Sequence, residues 1–322
     1  MALIDFTECE IDLMANYGGS DKKRGIIDNG KRYMLKMSDK ISEEKQNSLN
    51  SSYSNSTFSE FIGCHIMESM GFSVQRTLLG TIRMISSRGG EQVYPSVACE
   101  NFVPSDKQLI EFKIIEGAIL DVKPPKIPKL EHIYDIMTQP NVYFSKVFGK
   151  VAMSAYWDQF IADALLGNFD RHANNWGYLI DQNTKELTLA PIYDCGSCLY
   201  PQIADDAIER ILTSKDEIQK RIDVFPQAAL TLNGNKVSYK GYISSFMNED
   251  CNNALLRVAP CIDMNKVKEI ILHTDGISEI RKAFYMKMLS ERYDQIIMEL
   301  YMRLAQRNQR RTSSLFNARA VP

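Results

Sequence analysis

Polar and apolar residues follow one pattern over roughly the first hundred positions and another afterwards. Short alternating apolar runs, separated by turn residues such as Asp28-Asn29-Gly30, predict strands and hairpins. These strands are expected within 4–37, at 72–85 and at 93–103. One helix is expected from Phe58 to Met70, where apolar residues recur at helical spacing. The pattern therefore predicts a β-rich unit with one helix.

Beyond residue 104 the apolar positions recur every three or four residues, which is typical of amphipathic helices. The helical stretches are 144–166, 206–222, 264–273 and 278–308. One β-hairpin, 177–180 with 187–190, is the only interruption that we predict. The expected fold class is therefore α+β in two lobes: a β-rich N-lobe at 1–103, a mainly helical C-lobe at 104–310, and a flexible basic tail at 311–322.

The charge of the chain limits the classes of molecule that it is expected to bind. The 322 residues include 38 Lys and Arg against 40 Asp and Glu, so the net charge of −2 gives no general attraction to nucleic acid. The segment 300–322 is the exception, with five arginines and no acid. It is either a solvated helix end with a frayed tail or a segment that docks on a polyanion or serves as a targeting signal.

The cysteines and the N-terminus bear on the compartment. Seven scattered cysteines, an odd number, do not form a disulfide framework and fit a reducing compartment. The first ten residues carry acids where a secretory signal carries Lys or Arg, and no apolar run is long enough for a membrane span. We expect a cytoplasmic protein without membrane insertion; secretion without a cleavable signal is the alternative.

Polar residues concentrate on both sides of the predicted hairpin. Asp170 and Asn175 have the spacing that a kinase catalytic loop uses for its base and one metal ligand. An antiparallel hairpin returns the chain to its start, so Asp194 is expected beside them. Two carboxylates and an amide oxygen suit Mg²⁺. The alternative is that these side chains only shape turns and cap segments.

A phosphate-binding region is expected upstream. Lys36 follows on a predicted strand, as the lysine that contacts nucleotide phosphates would. A glycine-containing turn before it could bring backbone N–H groups close to phosphate, and its candidates are Gly18, Gly19 and Ser20. The alternatives are a solvent-facing lysine and an ordinary hairpin turn.

Two further candidates lie on the N-lobe. Glu60, near the start of the predicted helix, is either the ionic partner of Lys36 or the last residue of a capping box that begins at Thr57. The segment 98–103 joins the lobes where a kinase hinge would bind adenine through its backbone. We assign Glu100 and Phe102 as hinge neighbours.

The run Gly167-Asn-Phe-Asp-Arg-His, followed by Asn175-Trp-Gly and Pro191-Ile-Tyr-Asp194, resembles the signature of the HipA-like bacterial serine/threonine kinases, and most closely a short effector kinase among them. The resemblance extends through most of the chain. It implies a two-lobed kinase fold with Asp170 as catalytic base, Asn175 and Asp194 as metal ligands, and Lys36 on the nucleotide phosphates. Arg171 and His172 match the family loop and are expected to order it.

The resemblance implies transfer of the γ-phosphoryl group of ATP, with Mg²⁺, to protein serine or threonine and also to tyrosine, together with autophosphorylation and a toxin or effector role. The expected partners are a protein substrate and either an antitoxin or a host-cell target. Two alternatives stay open: a small-molecule or lipid phosphotransferase, and a nucleotide-binding toxin–antitoxin module without turnover. Ser20 is the candidate for autophosphorylation. Cys195 and Cys198 lack a second cysteine pair at zinc-finger spacing and are expected to be small buried residues.

Overall fold

A computed structural model of the chain describes residues 3–15, 22–38, 55–85, 90–140 and 142–319. Within them, the N-terminal part is a six-stranded sheet and one helix, α1 (Ser56–Ser69). The strands lie in the order β1-β5-β6-β4-β3-β2; β1 and β5 are parallel and the other neighbours antiparallel. Their bounds are β1 (Ile4–Asp5), β2 (Glu10–Ile11), β3 (Lys22–Asp28), β4 (Lys31–Met37), β5 (Thr77–Ile85) and β6 (Glu91–Glu100).

The two faces of this sheet have different neighbours. Leu35 points to one face and joins a small apolar core with Phe6, Tyr33, Ile82 and Ala98. Because side chains alternate along a strand, Lys36 points to the opposite face, where Leu79, Val97 and Cys99 pack with α1. Only 7% of Lys36 is exposed. The register of β4 thus directs a lysine into the interior.

The C-terminal part is mainly helical and is built around α4 (Tyr143–Leu166), whose Trp157, Ile161 and Leu165 are fully buried. The preceding elements are β7 (Lys107–Glu111), α2 (Phe112–Leu120) and α3 (Leu130–Thr138), and the hairpin β8 (Gly177–Asp181) and β9 (Leu187–Leu189) follows α4. The remaining elements are α5 (Asp205–Thr213), α6 (Lys215–Asp223), β10 (Gln227–Leu232), β11 (Asn235–Ser238), α7 (Tyr239–Ser245), α8 (Glu249–Val258), α9 (Met264–Leu272), α10 (Glu279–Arg292) and α11 (Glu299–Arg319), with a π-helical segment at Tyr293–Met298.

The predicted α+β class is confirmed, as are the helix at 144–166 and the hairpin after it. The boundary between lobes at residue 103 stays a prediction; the last strand of the large sheet ends at Glu100. Among the described residues, none of the helices combines the length and hydrophobicity that spanning a membrane requires.

Two details of the C-lobe prediction are wrong. A second hairpin, β10–β11, interrupts the helices in addition to β8–β9, and β7 adds a third strand beside β8. The stretch 206–222 is two helices, because the Ser214 hydroxyl accepts the Glu217 N–H and starts a new one. The helix α11 extends to Arg319, since no Gly or Pro ends it before that residue, and the flexible tail from 311 stays a prediction. Residues 320–322 lie outside the described part.

Candidate active site

A cavity of about 680 Å³ lies between the sheet and the helical part. It receives side chains from β4, α1, the segment after β6, and the loops on both sides of the β8–β9 hairpin. Its lining includes Lys23, Met34, Lys36, Glu60, Gln75, Asn101, Phe102, Glu111, Asp170, His172, Asn174, Asn175, Tyr193 and Asp194. The predicted Lys36, Glu60, Phe102, Asp170, Asn175 and Asp194 thus share one cavity.

Lys36 joins the two parts of the molecule. Its Nζ donates to Glu60 Oε2 and to Asp194 Oδ1, each at 2.8 Å. Burial alone would lower the pKa of Lys36, but the two carboxylates raise it well above its ordinary value. Burial likewise opposes ionisation of Asp194, yet the charge and hydrogen bond of Lys36 lower that pKa to about 2. The charges of Lys36 and Asp194 therefore persist at neutral pH.

Glu60 takes the ionic role, which was one of its two predicted roles. The helix α1 starts at Ser56 with Asn55 as its N-cap, so Thr57 lies inside the helix and its hydroxyl pairs with Ser38. The capping box is therefore not formed. Glu60 is fully buried, and its second oxygen, Oε1, accepts the backbone N–H of Cys195 at 3.0 Å. One carboxylate thus holds both Lys36 and the residue after Asp194.

The loop after α4 fixes Asp170 through its backbone. The Asp170 N–H donates to Asn168 Oδ1 at 3.0 Å, and its carbonyl accepts Asn175 Nδ2 at 2.8 Å. The Asp170 side chain is 47% exposed, so the carboxylate is open to the cavity. Burial raises the pKa of the Asp170 carboxylate, and the nearby negative charge of Asp194 acts in the same direction. The amide nitrogen of Asn175 is used in this hydrogen bond within the loop, and the amide oxygen accepts no hydrogen bond from the residues described.

Arg171 orders the loop from inside the core, as the resemblance implied. Its guanidinium binds the buried Asp163 of α4, with Nε to Oδ2 at 3.0 Å. The same group donates to the carbonyls of Asn175 at 3.0 Å, of Asp194 at 3.3 Å, and of Tyr193. One buried arginine therefore ties α4 to the segments on both sides of the hairpin.

Asp194 adopts a left-handed backbone conformation, with φ of 59°. A non-glycine residue rarely holds this conformation unless its surroundings enforce it. Here they do: Arg171 binds its carbonyl, Lys36 its carboxylate, and Glu60 the N–H of Cys195. The backbone and the side chain of Asp194 are thus both fixed.

Of the two predicted hinge neighbours, Phe102 lies at the cavity and the side chain of Glu100 does not. Phe102 lines the cavity and stacks on Tyr193, with ring centroids 5.4 Å apart. Glu100 is not brought to the cavity: its carboxylate binds Lys31 Nζ at 2.9 Å, and the side chain is not part of the described lining. Its carbonyl instead accepts Gln75 Nε2 at 3.0 Å. The reason is register, since Lys31 and Tyr33 of β4 lie beside Glu100 on their shared face.

The remaining candidates are outside the site or beyond description. Gly18, Gly19 and Ser20 lie outside the described residues, so the glycine turn stays a prediction. Cys195 and Cys198 are fully buried and, like the other cysteines, form no disulfide. Among the residues placed by the structure, no group of three His, Cys, Asp or Glu side chains is arranged to hold a metal ion by itself.

Sequence reasoning missed several residues that line the cavity. Asn174 donates from Nδ2 to Glu111 Oε2 at 2.6 Å, and Tyr193 lines the cavity where it stacks on Phe102. Asn174 and Tyr193 are direct neighbours of Asn175 and Asp194, so adjacency to the motif was a usable signal. Gln75 and Glu111 carried none, because each reaches the cavity from a segment distant in sequence.

Comparison with known proteins supplies the family. No family model matches the chain. The serine/threonine-protein kinase CtkA of Helicobacter pylori strain J99 is 40% identical over 300 residues, covering 92% of this chain and 87% of that protein. A crystal structure of the Helicobacter pylori proinflammatory kinase CtkA superposes with a TM-score of 0.83 at 38% identity, covering 95% of this chain and 98% of that one.

A more distant match is HipA of Shewanella oneidensis, solved with HipB and operator DNA, at 16% identity and a TM-score of 0.49; it covers 89% of this chain and 67% of that one. The two CtkA matches cover 92% and 95% of this chain. The chain therefore belongs to the CtkA family of serine/threonine-protein kinases.

Proposed function

We propose that this kinase transfers the γ-phosphoryl group of ATP to serine or threonine hydroxyls of proteins, with tyrosine as a further acceptor, and that the cavity around Lys36 is where it does so. The observation that carries the proposal is the pair of 2.8 Å contacts from Lys36 Nζ to Glu60 and Asp194. A strand lysine paired with a glutamate of the neighbouring helix is the arrangement that protein kinases use to position nucleotide phosphates.

Asp170 is the proposed catalytic base. Its carboxylate is open to the cavity while its backbone is held on both sides, so it can meet an acceptor hydroxyl without moving the loop. The proton of that hydroxyl would pass to Asp170 as the oxygen bonds to phosphorus. General base catalysis of this kind contributes about 10²–10⁴-fold.

Asn175 and Asp194 are the proposed ligands of Mg²⁺. The donor set fits a hard cation, because the free oxygen of the Asn175 amide and the carboxylate of Asp194 are both oxygen donors on the cavity wall. When bound, the metal would neutralise negative charge on the phosphates. The fixed backbone of Asp194 and the committed nitrogen of Asn175 keep these oxygens in place for it.

Adenine is proposed to lie against the hinge segment. Asn101, Phe102 and Val103 line that end of the cavity, with Met34 on the sheet side. The stack of Phe102 on Tyr193 gives a flat apolar wall that suits a purine. Gly18, Gly19 and Ser20 remain the proposed phosphate-binding turn, and Lys23 of the following strand lines the cavity.

The acceptor is proposed to be a protein. Because CtkA of Helicobacter pylori is described as proinflammatory, a host-cell protein is favoured over an antitoxin as the target of this chain. Autophosphorylation is part of the proposal, with Ser20 as one candidate site.

The test is the intact mass of the purified protein after incubation with ATP and Mg²⁺, followed by mapping of any phosphorylated residue. The parent is expected to gain phosphoryl groups on serine or threonine, and Asp170→Asn is expected to gain none. Lys287→Met, which removes a surface ion pair with Glu291, is the matched control and should behave as the parent. A parent that binds ATP but phosphorylates only small molecules would contradict the proposal.

A further inference from the structure

His172 has two ring nitrogens with different surroundings. Nδ1 accepts the backbone N–H of Asn174 at 3.3 Å. A nitrogen that accepts a hydrogen bond carries no proton, so the proton of the ring is on Nε2. The contact to Asn174 therefore fixes the tautomer of His172.

The Nε2 atom lies near Asp170, and His172 is part of the cavity lining. Nε2 is 3.9 Å from Asp170 Oδ2, which is too long for a hydrogen bond, and it donates to no residue in the described part of the chain. His172 is 24% exposed in its side chain and lines the same cavity as Asp170 and Asn175. A fixed donor thus stands beside the proposed base without an acceptor of its own.

Only one of the two ring nitrogens, Nδ1, takes part in the structure of the loop. Nδ1 shapes the loop, because the Asn174 that it holds in turn binds Glu111 at 2.6 Å. The backbone N–H of His172 adds a 2.8 Å bond to the carbonyl of Asp170. None of these contacts uses Nε2, so Nε2 takes no part in shaping the loop.

We propose that His172 is a further catalytic residue, whose Nε2–H donates a hydrogen bond to an oxygen of the phosphoryl group as it is transferred. This inference rests on the proposed function. In the step, the acceptor hydroxyl oxygen bonds to the γ-phosphorus, the bond from that phosphorus to the bridging oxygen breaks with its electron pair leaving on ADP, and the hydroxyl proton passes to Asp170. His172 keeps its proton throughout.

The expected loss of kcat on removing the Nε2–H donor follows from its stabilisation of charge in the transition state. Negative charge is spread over the oxygens of the transferred group in the transition state, so a preorganised donor there acts on the rate more than on nucleotide binding. Removing one such donor costs about 10²–10³-fold in kcat. The effect should therefore be on kcat, with little change in the affinity for ATP.

Two substitutions separate the roles of the nitrogens. In His172→Asn the side-chain oxygen can replace Nδ1 as acceptor for Asn174, but no N–H reaches the position of Nε2. In His172→Gln the longer side chain can bring an amide N–H to that position. The loop-shaping contact and the catalytic donor are thus removed one at a time.

The experiment measures kcat for serine or threonine phosphorylation, the dissociation constant for ATP, and the thermal midpoint of the parent and both variants. We expect His172→Asn to lose about 10²-fold in kcat, with ATP affinity within about threefold of the parent, and His172→Gln to recover at least about tenfold of that loss. A His172→Asn protein as fast as the parent, or a His172→Gln protein no faster than His172→Asn at an unchanged thermal midpoint, would overturn the inference. A parent without phosphoryl transfer would instead overturn the proposed function.

Discussion

Lys36 and Asp194 are hydrogen-bonded at 2.8 Å although 158 positions separate them in the chain. The first belongs to a strand of the large sheet and the second follows the β8–β9 hairpin, so their contact closes one part of the molecule on the other. Glu60 strengthens it by binding Lys36 and the backbone of Cys195 together. We therefore regard these three residues as the connection between the two lobes at the cavity.

Replacing Lys36 should remove activity, and it should also lower stability because the buried Glu60 loses its cation. In Lys36→Met, the nucleotide phosphates lose their cation and Asp194 loses the charge that lowers its pKa, so we expect kcat/KM to fall by at least about 10²-fold. Steady-state phosphorylation assays, with circular dichroism as a check on folding, measure this. Lys240→Met, which breaks a partly exposed pair with Asp223, is the comparison and should keep its activity. Near-parental activity of Lys36→Met would refute the role of Lys36.

Arg171 should matter for stability as well as for the loop. Arg171→Met leaves Asp163, which is 1% exposed, as a buried carboxylate without its cation. Breaking a buried pair in this way costs about 3–5 kcal/mol, and we expect that loss in the free energy of unfolding by denaturant. Arg257→Met removes a more exposed pair with Asp158 and should cost about 0–1 kcal/mol. Equal losses in both variants would show that Arg171 is not the central support.

Gly177 is required by close packing. A Cβ at this position would lie 2.3 Å from the carbonyl oxygen of Ile110 on the neighbouring strand, so Gly177→Ala must push β7 and β8 apart. We expect a loss of about 1–3 kcal/mol in stability, together with reduced activity, because Gly177 follows the loop of Asp170 directly. Gly241→Ala in helix α7 is the matched control, because a Cβ there would come no closer than 3.5 Å to its nearest neighbour, Ser238. It should be neutral or slightly stabilising, and a Gly177→Ala protein with the same unfolding curve would be inconsistent with the packing argument.

The proposed metal ligands predict a dependence on magnesium. We expect Mg²⁺ to tighten binding of a non-hydrolysable ATP analogue to the parent, and this gain to disappear in Asp194→Asn, because one oxygen ligand loses its charge. Isothermal titration calorimetry with and without Mg²⁺ measures both values. Asp158→Asn, which changes a partly buried carboxylate of α4 paired with Arg257, should keep the full gain. If Asp194→Asn kept it too, Asp194 would not be a ligand.

Local patterns were enough to predict the position of Asp170, Asn175 and Asp194. Asp170 and Asn175 are on one loop, and an antiparallel hairpin leaves little choice about where the chain returns. Lys36 was harder to predict, because alternation in β4 gives two faces and only the contact with α1 identifies the face that borders the cavity. The role of Glu60 depended on whether Thr57 was the N-cap of α1, as the capping box requires, or a residue inside the helix.

The hairpin β10–β11 and the start of α6 also have local sequence signals. The hairpin β10–β11 turns at Asn233-Gly234, the same dipeptide that indicated the earlier turn at Asn29-Gly30. Ser214 and Glu217 have the spacing of a capping box, which marks the start of α6. The contacts of Glu100 depend on pairing across the sheet, which no local pattern encodes.

The most direct test of the account is a single turnover with enzyme in excess over ATP labelled at the γ-phosphate, measured beside the affinity for the nucleotide. In the parent, we expect the label to move from ATP to serine or threonine of protein. In Asp170→Asn, we expect transfer to be slower by about 10²–10⁴-fold while ATP binds within about threefold of the parent affinity. Label that passes to water or to a small molecule, or an Asp170→Asn protein that transfers at the parental rate, would contradict the account.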